Sequence, residues 1–74
     1  MEQTEQRTDE ILTRLKQIRE SKGLSQSQLA KASGVNVRII QHYEQGFRDI
    51  NKASAETVLK LADALDCDIR EIME

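Results

Sequence analysis

Few side chains in this chain could do covalent or metal chemistry, and their spacing argues against both. One cysteine, Cys67, and one histidine, His42, occur in 74 residues. A lone thiol makes no internal disulfide, and one thiol with one imidazole falls short of the ligands a zinc site needs. The apolar pattern places His42 and Cys67 on separate elements, so no Cys/His or Ser/His/Asp nucleophilic set is expected. No glycine-rich loop is present to cradle a phosphate. The expectation is a protein that is not an enzyme and that uses no metal and no cofactor. What does cluster is a set of hydrogen-bonding side chains, Arg38, Gln41, His42 and Gln45, with Val37 beside them.

Charge is distributed in a way that suits such a cluster. The net charge of −2 argues mildly against a polyanionic partner when taken globally. By segment the picture reverses. Residues 1–10 carry four acids and one base (−3), and residues 53–74 carry six acids and two bases (−4). Between them, residues 11–52 hold eight bases against three acids, a surplus of +5. With a screening length of about 8 Å in cell-like salt, a local cationic face acts on a phosphate strand while acidic ends point away. Ordinary solvated surface is the competing reading of that pattern.

The elements that would position these groups are helices. The length allows one small domain, which rules out a multi-domain enzyme, a transporter or a receptor. Zero Pro, three Gly and 32% charged residues, with few β-branched or aromatic residues, predict an all-α fold. Apolar runs never exceed two residues, too short for a membrane span or a signal-peptide core, so a cytoplasmic protein with no membrane partner is expected. Five helices are legible from caps and stops. The first opens at Thr8, with Asp9 and Glu10 at its positive dipole end and Ile11, Leu15 and Ile18 inward, and stops at Gly23. Residues 1–7 read as a flexible tail, leaving a domain over 8–74. The second opens on Ser25 with Gln28 completing a capping box and Leu24 and Leu29 as hydrophobic staple, and stops at Gly34. The third opens on Asn36 with Val35 and Ile40 as staple and stops at Gly46. A loop pinned to the core by Phe47 and Ile50 leads to a fourth helix from Ser54, with Val58, Leu61, Ala62 and Leu65 inward. Asp68 and Glu71 cap a short fifth. Tyr43 and Phe47 read as core residues, and Cys67 as a small apolar filler between the last two helices.

Only Gly34, Val35 and Asn36 separate the second and third helices. A left-handed glycine followed by a buried valine turns the chain sharply, and the small Ala30 allows close approach. This is the geometry of a helix-turn-helix, over 25–46, whose second helix enters a DNA major groove.

The segments Leu24-Ser25-Gln26-Ser27-Gln28-Leu29-Ala30, Gly34-Val35-Asn36 and Ile40-Gln41-His42-Tyr43-Glu44-Gln45-Gly46 closely resemble the Cro/repressor-type helix-turn-helix family, also called Xre. The resemblance runs from about Leu12 to Met73 and includes the closing Cys67-Asp68-Ile69-Arg70-Glu71-Ile72-Met73 turn. It implies a compact five-helix, lambda-repressor-like domain that binds double-stranded DNA, usually as a homodimer on a two-fold symmetric operator. The family's base-contacting positions match Val37, Arg38 and His42, with Gln41 a frequent addition.

The residues support the same assignment independently. At about 100° per residue, Ile40 and Tyr43 point one way while Arg38, Gln41, His42 and Gln45 spread over the opposite face, with Val37 at its edge. Arg38 can fork onto guanine, Gln41 onto adenine, His42 can donate to guanine and Val37 can touch a thymine methyl. Backbone contacts are expected from Gln26 and Asn36, at the amide-rich starts of the second and third helices, and from Gln45, Arg48 and Lys52. A solvated helix face and ordinary loop charges are the plainer readings of the same residues.

Arg19 and Glu44 sit on inward stripes where apolar residues belong. They are expected to pair, as an Arg/Glu bridge often does in this family, or else to snorkel separately to water. Two departures from the family pattern stand out. Ile39 replaces a hydroxyl residue able to reach a phosphate, and Asp66 stands where glycine is usual, with mild strain expected. The apolar excess of the last helix, Ile69, Ile72 and Met73, is the expected dimer patch, although packing inward on Leu61 and Leu65 competes for those side chains. The leading expectation is a sequence-specific transcriptional regulator, a repressor before an activator, associated with the nucleoid when bound. The rival is a protein-interaction module of the same fold, such as an antitoxin or bridging factor, which the acidic ends favour.

Overall fold

In the computed structural model, which describes residues 12–74, every helix opens on a side-chain oxygen that accepts a first-turn amide. The order is α1 (Arg14–Ser21), α2 (Gln26–Ser33), α3 (Val37–Gln45), a 3-10 turn (Ile50–Lys52), α4 (Ala55–Leu65) and α5 (Ile69–Ile72). The caps are Thr13, Ser25, Asn36, Asp49, Ser54 and Asp68, with capping boxes to Gln28 and Glu71. The 3-10 turn lies in the segment read from sequence as plain loop.

The start of the first helix is corrected. Its cap is Thr13, whose hydroxyl accepts from the Lys16 amide at 3.2 Å. One long-range and one local bond fix this start: the Arg14 amide donates to Glu74 Oε2 at 2.7 Å, and the Gln17 side chain to the Leu12 carbonyl at 2.9 Å. The expected tail over 1–7, the Thr8 cap with Asp9 and Glu10, and inward Ile11 lie outside the described residues.

Helix ends are built as locally as the starts. Left-handed Gly23, Gly46 and Asp66 close Schellman motifs, with Leu24, Phe47 and Cys67 donating back to the Arg19, His42 and Ala62 carbonyls. Asp66 adopts φ 55°, a conformation that costs an L residue more than glycine. Gly34 closes α2 with one bond to Ala30, after which the chain enters α3 within two residues.

The core forms where these helices meet, with α4 across α2, and α5 against α1 and α4. Leu15, Leu29, Ile40, Leu61, Leu65 and Ile72 are almost entirely buried. Ile72 is therefore removed from the expected dimer patch: it is 0% exposed and is part of the core. Phe47 also departs from its expected place, being 75% exposed rather than pinned to the core. Gly46 at φ 83° turns the chain so that the Phe47 ring folds back over the last turn of α3, leaving Ile50, 4% exposed, as the loop's anchor. Cys67 packs half-buried against the core, and burial pushes its thiol above the ordinary range.

Candidate nucleic-acid interface

α3 carries the site because its two faces are chemically opposite. Ile40, Tyr43 and Glu44 are buried, whereas Arg38 and Gln45 are exposed and Val37, Gln41 and His42 half-buried. Asn36 Oδ1 accepts from the Arg38 amide at 2.7 Å, so the Asn36 side chain is already engaged in capping. Its exposed NH2 group remains free of that bond.

The inward face is locked by charge rather than by apolar contact alone. Arg19 Nε donates to Glu44 Oε2 at 2.7 Å and Nη2 to Oε1 at 3.0 Å, a bidentate pair between α1 and α3. The third guanidinium nitrogen, Nη1, donates to the Leu24 carbonyl at 2.7 Å, and Glu20 Oε2 lies 3.8 Å from Nη2. The Glu44 hydrogen bond holds the guanidinium above its ordinary pKa, against the opposing pull of burial.

Gln26 is placed differently from the sequence expectation. Its Nε2 donates to Glu44 Oε1 at 2.9 Å, because the buried carboxylate has a lone pair that Arg19 leaves unfilled. Gln26 thus ties the start of α2 to α3, and what remains for a phosphate is its second amide hydrogen and the backbone amides of Gln26 and Ser27, since Ser25 Oγ takes that of Gln28. Nothing in the sequence pattern marks this bond, since its partners are 18 positions apart.

Arg48 and Lys52 are both exposed and are brought together around a recess of about 190 Å³, beside Tyr43, Asp49 and Ala53. Asp49 directs a carboxylate oxygen to the Asn51 amide at 2.9 Å as cap of the 3-10 turn. A wider depression at the α2–α3 joint adds Lys31 beside Asn36 and Val37, a cation the sequence reading passed over. His42 meets Phe47 edge to face, with ring centroids 5.9 Å apart and planes at 66°. The surface therefore combines bidentate and single hydrogen-bonding side chains on one helix face with cations at both ends of that helix.

Away from this face, Ile69 and Met73 join Ala53, Ala55, Val58 and Leu59 around an apolar groove of about 270 Å³. No helix among the described residues is long and apolar enough to cross a membrane, and no group of metal-ligating side chains occurs among them.

A helix-turn-helix family model matches residues 15–72. The chain belongs to this family, in its Xre-type form, and is a DNA-binding transcriptional regulator. Among solved structures it is similar to the restriction-modification controller protein C.AhdI from Aeromonas hydrophila, with 42% identity and a TM-score of 0.71. The match covers 81% of this chain and 86% of that one. Comparison with curated proteins yields no match.

Proposed function

We propose that the chain is a repressor that binds a two-fold symmetric operator as a homodimer, laying α3 of each protomer into successive major grooves about one helical turn apart. The observation that carries this reading is the two-sided α3: its inward face is fastened by the Arg19–Glu44 pair, which leaves the outward donors on a rigid support. Val37, Arg38, Gln41 and His42 read base edges. Gln26, Asn36, Gln45, Arg48 and Lys52 hold phosphates and set the register. The binding domain spans 8–74, acts in the cytoplasm without cofactor, and catalyses no reaction.

The dimer forms over the apolar groove. With Ile72 buried, the surface that remains is Ile69 and Met73 together with Leu59, which is 49% exposed. Similarity to a restriction-modification controller makes the promoters of such a system the first natural operators to test. The deciding experiment is selection of bound sites from random duplex DNA at low ionic strength. Recovery of an enriched inverted repeat supports the proposal, and recovery of no enriched sequence overturns it.

A further inference from the structure

We propose that Phe47 is a specificity-positioning residue, which clamps the imidazole of His42 in its reading orientation and is itself covered by the duplex. The inference rests on the DNA-binding reading above.

Its starting point is an exposed phenyl ring that the fold does not require. The Schellman closure of α3 is made by backbone atoms, the Phe47 amide to the His42 carbonyl at 2.9 Å and the Gly46 amide to the Tyr43 carbonyl at 3.3 Å. Any side chain but proline at this position leaves those bonds intact. Of the large hydrophobic residues exposed among those described, Phe47 is the most open, at 75% against 44% for Leu12 and 49% for Leu59. A ring so exposed forgoes the stabilisation that burial would bring, and the contact it does make is with a side chain of the recognition face, His42.

The partner's chemistry follows from the surroundings. On α3, Gln45 and Arg38 are exposed, and Arg48 follows Phe47 directly. Glu44, the acid on that helix, is buried and held by Arg19 and Gln26. Asp49 is the exposed acid in the loop, and it caps the 3-10 turn. An apolar ring next to Arg48, at the end of a helix whose exposed face carries no acid, suits a polyanion with apolar sugar and base surfaces, which is a nucleic acid.

The role follows from the ring contact. The backbone turn sets the Phe47 ring edge to face with His42 at 5.9 Å, an arrangement that aromatic pairs favour. Imidazole is joined to its backbone by two rotatable bonds with several allowed rotamers, and a base edge is read only when the donor nitrogen is held in direction. A packed neighbour restricts that rotation before DNA arrives.

The test begins with the binding site selected by the wild-type chain. Phe47→Ala should melt at the wild-type temperature, because the side chain contributes little to the core. Its discrimination at the base pair read by His42 should fall about tenfold, with the slope of affinity against salt unchanged. In a His42→Ala background the same substitution should alter base preference less than twofold. Phe47→Trp supplies the chain's single tryptophan, and its indole should become shielded from acrylamide when the selected duplex is saturating. Wild-type base preference in Phe47→Ala, equal effects in both backgrounds, or an indole as accessible with DNA as without it would each overturn the inference while leaving the DNA-binding reading intact. Failure of the wild-type chain to select any site would instead remove that reading, and this inference with it.

Discussion

Arg19→Ala is the sharpest perturbation of the recognition helix that touches no outward residue. In the native protein the Glu44 side chain is 2% exposed and accepts three hydrogen bonds, two from Arg19 at 2.7 and 3.0 Å and one from Gln26 at 2.9 Å. Removing the guanidinium leaves a buried carboxylate with one neutral donor. Breaking a buried pair from one side costs about 3–5 kcal/mol. A domain of this size holds roughly 4–11 kcal/mol in total, so the variant should lose a large share of its stability and melt on the order of 20 °C lower. The intact pair contributes little net, because both ions were desolvated to form it. Arg19→Met combined with Glu44→Leu should therefore recover most of the loss and lie within about 2 kcal/mol of the native chain. Urea unfolding followed by far-ultraviolet circular dichroism reads both quantities, provided the m-value stays constant. A loss below about 1 kcal/mol for Arg19→Ala would mean that Glu44 finds water or another donor and that the pair is not a buried lock. A double variant no more stable than Arg19→Ala would equally refute the reasoning.

Four further outcomes follow from the same geometry. Arg38→Ala should relax base preference at one operator position by about 1–3 kcal/mol, whereas Lys52→Ala should weaken all sequences alike and lower the salt slope by about 0.9; filter-binding titrations across salt separate the two. Asp66→Gly removes a side chain from φ 55° and should stabilise the chain by up to about 1 kcal/mol in urea unfolding, with DNA binding unchanged. Leu59→Glu places a charge in the apolar groove and should shift the proposed dimer to monomer in sedimentation, leaving the fold unaltered. Asp68 has its carboxyl held below the usual range, first by the Arg70 side chain and then by the Arg70 amide. A depressed carboxylate contributes stability above its unfolded pKa, near 3.9, and loses it as pH falls through the folded value. Carbon-13 titration of the Asp68 carboxyl should place its midpoint below that reference, and Asp68→Asn should flatten the acid limb of stability.

Helix boundaries from α2 to α5 were legible in the chain because their causes are local. Ser25 with Gln28, Asn36, Ser54, and Asp68 with Glu71 act within three residues of themselves, and Gly23, Gly34 and Gly46 act on the turn they close. The outward stripe of α3 was legible for the same reason, since helical periodicity alone separates Arg38 and Gln45 from Ile40 and Tyr43. What escaped is non-local. The start of α1 depends on a carboxylate 60 positions away, the Gln26 amide on an acceptor 18 positions away, and the burial of Ile72 on where α5 lands against α1 and α4. Phe47 shows the boundary between the two kinds of information. Its hydrophobicity predicts a core residue, but a left-handed glycine one step earlier turns it outward onto His42. Residue type measures the tendency to leave water, and only packing decides which surface receives it.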